Sequence, residues 1–234
     1  MAKQIPLPFA KFDRFNFDLF LPGPNNQIVN HLIQIAEART ANNLYLWGGQ
    51  GTGKSHLLQA LCALASSQNK TVIYIPLQEK SLISPELLTG METMDIVCLD
   101  DVDQVALNRE WEVAIFNLYN GMQENGHTLV VSARNSPKGL TIKLQDLKSR
   151  LASGVTYHVT SLDEKDRLHV LQQRAKNRGI ELSDDVIAYL SKRISRDMSS
   201  LFDWLDKMDN ASLSEKKKLT IPFVRKLLNE AGKD

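Results

Sequence analysis

Apolar residues gather in five short runs: Leu44–Trp47, Val72–Ile75, Ile96–Leu99, Leu129–Val131 and Val155–Val159. Several are continuous rather than alternating, the pattern of parallel strands covered on both faces. Between them lie stretches of helical period. The clearest, Trp111–Glu124, sets Trp111, Ile115, Leu118 and Met122 on one face at spacings of four, three and four. Strand and helix in alternation predict an α/β fold, a five-stranded parallel sheet flanked by helices.

Beyond Ser161 the strand signal stops and only helices are predicted. Ser161 with Glu164 reads as a capping box opening a helix through Arg178, with Leu168, Leu171 and Ala175 inward and Gly179 as its stop. A second helix follows Ser183 with Ile187, Leu190 and Ile194, and a third carries Leu201, Leu205 and Met208. A fourth begins after Thr220 with Pro222 in its first turn, where a missing N–H costs little. The division predicted is an extended N-terminal segment (1–15), an α/β domain (16–160) and a small all-α domain (161–234).

Two motifs carry chemistry. Gly48-Gly49-Gln50-Gly51-Thr52-Gly53-Lys54-Ser55 fits the Walker A pattern and follows an apolar strand directly, with a helix starting near His56. Glycines let backbone N–H groups turn around a β-phosphate, Lys54 reaches β and γ oxygens, and the Ser55 hydroxyl ligates Mg²⁺. Ile96-Val97-Cys98-Leu99-Asp100-Asp101 has the form of its Walker B partner. Asp100 is expected to hold Mg²⁺ and Asp101 to polarise an attacking water.

Composition narrows the rest. Among 234 residues, 28 Lys and Arg face 27 Asp and Glu, so a net +1 gives no global field to hold nucleic acid or anionic lipid. Two cysteines, Cys62 and Cys98, each inside an apolar stretch, read as buried small hydrophobes of a reducing, cytoplasmic protein. Met1–Ala10 lacks an apolar signal region, and no run approaches the roughly 18 apolar residues of a membrane span. The Lys216–Lys218 run reads as a solvated loop.

The motif pair, Phe17-Asp18-Leu19-Phe20 with Gly23 and Asn25, Leu147-Lys148-Ser149-Arg150-Leu151 and Leu219-Thr220-Ile221-Pro222-Phe223-Val224 together resemble AAA+ P-loop ATPases of the bacterial replication-initiator group. The regulatory inactivators of that group are the nearest likeness. The resemblance implies that Leu19, Phe20, Leu21, Asn25 and His56 line an ADP or ATP site with the P-loop, beneath a helical lid. It implies that Arg150 is an arginine finger reaching a neighbour's γ-phosphate, with a planar cationic fork suited to developing charge. Gln4-Ile5-Pro6-Leu7-Pro8-Phe9 resembles the peptides that dock on the DNA sliding clamp, and prolines keep such a peptide extended at low entropic cost.

The function implied is negative regulation of replication initiation. The protein would bind the clamp, contact DNA only through it, and stimulate hydrolysis of ATP on DnaA. The alternative is an autonomous AAA+ ATPase that remodels or loads a replication complex. A homo-oligomer is left open, and a membrane partner is not expected. With the last lid helix close to Asp234, an origin-reading helix-turn-helix domain is not expected. Two departures weaken the chain's own catalysis. The polar sensor after the fourth strand falls to Ser132 or Asn135 within Ser132-Ala133-Arg134-Asn135. The lid position where relatives carry a sensor arginine is Ser199, with Arg196 one turn away as a substitute.

Overall fold

A computed structural model describes residues 15–37, 43–79, 81–177, 179–191, 193, 198–215 and 219–231. Its first unit ends at Thr160. Strands β1 (Asn43–Trp47), β2 (Val72–Pro76), β3 (Ile96–Asp100), β4 (Thr128–Ala133) and β5 (Val155–His158) form one sheet of order β2-β3-β4-β1-β5. Every pairing is parallel. The continuous apolar runs are explained by the two cores they feed. Tyr45, Val97, Leu99, Leu129 and Val131 point to a core completed by α3 (Arg109–Glu124) and α4 (Gln145–Ser153). Leu44, Leu46, Ile96, Cys98 and Val130 point to the other, completed by α1 (Asn26–Glu37) and α2 (Lys54–Ser67).

Helix α3 shows how local chemistry sets an element. Asn108 accepts hydrogen bonds from the N–H groups of Glu110 (3.0 Å) and Trp111 (3.3 Å), satisfying donors the helix itself leaves open. Its inward face is Trp111, Ile115, Leu118, Tyr119 and Met122. Gly121 is required there, since a Cβ would come within 2.7 Å of the Glu92 side chain.

The second unit, Ser161–Asp234, holds α5 (Glu164–Asn177), α6 (Asp184–Ser191), α7 (Met198–Glu215) and α8 (Ile221–Ala231). Leu171, Ala175, Val186, Leu190, Leu201, Leu205, Met208, Phe223 and Val224 make its core. The start of α5 differs from the sequence reading. Asp163, not Ser161, caps it, accepting the Asp166 N–H at 2.8 Å. A carboxylate next to the first helical residue is the stronger competitor for a first-turn donor. Among the described residues no helix is long and apolar enough to cross a membrane.

Candidate functional site

Sheet order assembles the phosphate site. Because β4 lies between β1 and β3, the loop leaving β1 and the acids ending β3 flank the end of β4. Ligand sites in open α/β sheets form at such carboxyl edges, where neighbouring connections diverge. The Walker A loop, Gly48–Gly53, runs from Trp47 into the first residue of α2, Lys54. Gly53 has φ +99°, and a Cβ on it would meet the Phe20 ring at 2.7 Å, so only glycine lets Phe20 close on the loop. Gly48 donates its N–H to Ala133 O at 3.2 Å, and a Cβ there would overlap the Val159 carbonyl. Thr52 Oγ1 donates to Gly49 O at 3.0 Å, turning the loop on itself.

Lys54 is buried with its ammonium donating to Gly48 O (2.8 Å) and Gly49 O (2.9 Å). Burial lowers its pKa from the ordinary lysine value, opposed by the charges of Asp101, Asp100 and Asp103. The ammonium thus sits inside the loop it serves, poised to trade carbonyls for phosphate oxygens.

Asp100 is buried at the end of β3. Tyr74 Oη donates to its Oδ2 at 2.7 Å, and Ser132 Oγ donates to its Oδ1. Burial pushes its carboxyl above the carboxylate range, resisted by hydrogen bonds from Ser132, Ser55 and Tyr74. Asp101 takes the left-handed conformation, φ 58°, which a short polar side chain tolerates. Its N–H donates to Ser132 Oγ at 2.8 Å and its carboxylate accepts from Gln78 Nε2.

Of the two candidate sensors, Ser132 is therefore the one at the acids. It is fully buried and hydrogen-bonds both, whereas Asn135 is exposed and its carbonyl receives the Tyr45 hydroxyl at 2.9 Å. Tyr74 and Gln78 were not singled out from sequence, since their nearness to the acids depends on the β2–β3 register that sets Pro76 beside Asp100.

The donors fit Mg²⁺. Asp100 and Ser55 offer hard oxygen ligands next to the P-loop, and an incoming cation would offset the cost of burying the carboxylate. Among the described residues no three His, Cys, Asp or Glu side chains converge on a metal. Mg²⁺ held by one carboxylate, a hydroxyl, waters and phosphates needs no such cage.

Beside the loop, His56 sits edge-on to Phe15 and Phe20, with ring centroids 5.2 and 5.3 Å away. Its Nε2 lies 2.9 Å from Asn16 O. Asn16 Oδ1 in turn accepts the Leu19 N–H at 2.9 Å, shaping the turn that carries Leu19, Phe20 and Leu21. Asn25 is buried and clasps backbone: its Nδ2 donates to Thr160 O and its Oδ1 accepts the Thr160 N–H, both at 2.9 Å. Its amide holds backbone on both its nitrogen and its oxygen. The thiols of Cys62 and Cys98 are buried 3.6 Å apart, and burial raises the Cys98 pKa.

Arg150 lies on the exposed side of α4, its guanidinium 6.0 Å from the centroid of the Tyr119 ring. Among the described residues no carboxylate pairs with it. Ser199 belongs to the first turn of α7, but its side chain lies outside the described ones, as does Arg196. The expected clamp peptide, Gln4, Ile5, Pro6, Leu7, Pro8 and Phe9, also lies outside the described residues.

A parallel sheet of this order, a Walker A loop and Walker B acids at its carboxyl edge, and a following helical unit define an AAA+ P-loop ATPase fold. The bacterial DnaA ATPase-domain model matches residues 12–158, and the chain belongs to that family. The model of the Hda lid domain matches residues 163–228. Among solved structures, domain III of the Thermotoga maritima replication initiation protein DnaA is 20% identical, with a TM-score of 0.79, over 97% of this chain and 98% of that one. The replication initiator DnaA bound to AMPPCP and single-stranded DNA is 20% identical with a TM-score of 0.68, over 87% of this chain and 68% of that one. A Thermotoga maritima RuvB variant is 16% identical with a TM-score of 0.68, over 92% and 71%. These structures share the fold.

Proposed function

We propose that this protein is a DnaA-directed regulator of replication initiation, one that presents Arg150 to ATP held by DnaA and accelerates its hydrolysis. The observation that carries the reading is where Arg150 stands. Helix α4 descends from the carboxyl edge of the sheet toward Val155, which pairs with Leu44 at the opposite end of β1 from the P-loop. Arg150 is five residues before Val155, leans on Tyr119, and is unpaired with any described carboxylate. An exposed guanidinium displaced from its own phosphate cradle suits action in trans.

The chain's own P-loop would carry ADP or ATP, held by the loop amides, Lys54 and Ser55, with Asp100 and Ser55 on Mg²⁺. Support comes from the assembled cradle and from a fold neighbour that holds AMPPCP. Bound Mg²⁺ supplies charge neutralisation at the phosphates. Asp101 would orient a water, yet its carboxylate is engaged by Gln78, and position 199 is Ser where the resemblance implies an arginine. Slow turnover of its own nucleotide follows. The peptide Gln4–Phe9 would fasten the protein to the sliding clamp on DNA, in the cytoplasm.

The test is hydrolysis of labelled ATP prebound to DnaA with clamp-loaded DNA. Stimulation should fall by about 10³ in Arg150→Ala, the lower range for arginine fingers. Full stimulation by that variant would overturn the reading. Steady turnover by the isolated chain, abolished by Asp101→Asn, would instead make it a remodelling ATPase.

A further inference from the structure

Among the described residues three carboxylates are buried, and one of them, Glu112 on α3, is outside the phosphate site. It is 1% exposed and accepts no side-chain donor; all its bonds go to backbone. Oε1 accepts the N–H of Leu107 at 3.0 Å and of Lys143 at 3.1 Å, and Oε2 accepts the N–H of Leu144 at 2.8 Å. The partners are telling. Leu144 is the N-cap of α4 and supplies no side-chain cap of its own, so that helix begins without the usual Ser, Thr, Asp or Asn. The carboxylate of a different helix takes its place, meeting two consecutive amides just ahead of α4 and adding negative charge near its amino end.

Leu107 marks the other end of the tie. It has φ +69°, unusual for a residue with a branched side chain, and its side chain is 52% exposed. It lies six residues past Asp101, on the segment that leaves the Walker B acids. One buried carboxylate thus joins that segment to the start of the arginine helix.

We infer that Glu112 is a positioning residue that anchors the start of α4 and thereby fixes where Arg150 is presented. The inference rests on the proposed role of Arg150 and adds the group that sets its place. Glu112→Gln nearly preserves shape but brings an NH₂ against a backbone N–H: with Oε1 kept on Leu107 and Lys143, the amide nitrogen faces the Leu144 N–H donor to donor. The variant should therefore loosen α4 without emptying the core.

Hydrogen exchange in the whole protein tests the tie, independent of DnaA. In Glu112→Gln, amide exchange at Lys143 and Leu144 should quicken at least about tenfold, with α2 and β3 unchanged. Stimulated hydrolysis of DnaA-bound ATP tests its purpose. Maximal stimulation should fall about tenfold at unchanged ADP affinity and unchanged half-saturation by DnaA, and Glu112→Gln should cost nothing further in an Arg150→Ala background. Unchanged exchange at Leu144 would overturn the anchor, and quickened exchange with full stimulation would overturn its bearing on Arg150. A protein that stimulates nothing even when unaltered would sink the functional reading, while exchange alone still decides the anchor. Should Glu112→Gln not fold, Glu112→Asp keeps the charge but draws the carboxylate back by one methylene from the three amides it holds. That variant should likewise quicken exchange at Lys143 and Leu144 and lower stimulation, and unchanged exchange at both amides would overturn the anchor.

Discussion

At Asp100 function and stability pull in opposite directions. The side chain is buried, its carboxylate accepts the Tyr74 and Ser132 hydroxyls and interacts with the Lys54 charge, and its pKa is raised chiefly by desolvation. The sign of the pH dependence follows. In the window above the ordinary carboxylate value of 3.8 the native state keeps a proton that the unfolded chain has released, so unfolding releases a proton. Asp100's contribution to stability therefore falls as pH rises through that window and is flat above it. Replacing the group with a neutral isostere removes the cost of the buried charge. Asp100→Asn should raise the melting temperature of the nucleotide-free protein at neutral pH by a few degrees and remove this part of its pH dependence. The same change should weaken Mg²⁺-dependent nucleotide binding at least about tenfold, since losing even an outer partner of a metal ligand costs that much. Thermal melts across pH and a nucleotide titration with and without Mg²⁺ check both halves. A less stable variant at neutral pH would show that the carboxylate is better solvated than its surroundings indicate.

The segment before α1 and the exit of β5 are far apart in sequence, yet the two ends of the Asn25 amide clasp Thr160 between them. Asn25→Ala should destabilise the protein by about 1–2 kcal/mol, as loss of a buried hydrogen-bonding partner does. If the side chain only holds backbone, ADP affinity should change less than about threefold, whereas a direct contact would cost about tenfold. Calorimetry and nucleotide titration on the same variant separate these outcomes. This was a point the sequence could not resolve: an Asn near a P-loop segment reads the same whether it meets a base or a backbone. The elements themselves were largely legible. Runs of apolar residues located all five strands to within about two residues: the buried β3 and β4 show as continuous runs, and the more exposed β5 as β-branched and aromatic residues. Tyr74, Gln78 and the role of Ser132 were hidden, since each depends on strand register and sheet order rather than on spacing along the chain. Glu112 did leave a trace, a charge on the stripe shared by Ile115 and Tyr119, and a charge there implies buried donors facing it.

For the whole molecule the question is how a protein of net charge +1 would find DnaA near DNA. Without a positive field its own affinity for duplex should be weak and nearly independent of salt, because few counterions are released. In the proposed reading the clamp solves the search problem. A peptide docked on the clamp makes encounter with a neighbouring DnaA effectively intramolecular, with local concentrations on the order of millimolar for a short flexible link. Tethering and chemistry then reside in different parts of the chain and should fail differently. With dilute proteins and clamp-loaded DNA, Gln4→Ala and Arg150→Ala should both lose stimulated hydrolysis. At concentrations on the order of 1 mM, matching the effective concentration the tether supplies, Gln4→Ala should regain most of the stimulation, because its guanidinium is intact. Arg150→Ala should regain none, since a missing transition-state charge cannot be replaced by more encounters. If Gln4→Ala stayed inactive at every concentration while still folded and loaded with nucleotide, the peptide would be part of the activating geometry rather than a tether. If it were active even when dilute, the clamp would be held by another surface.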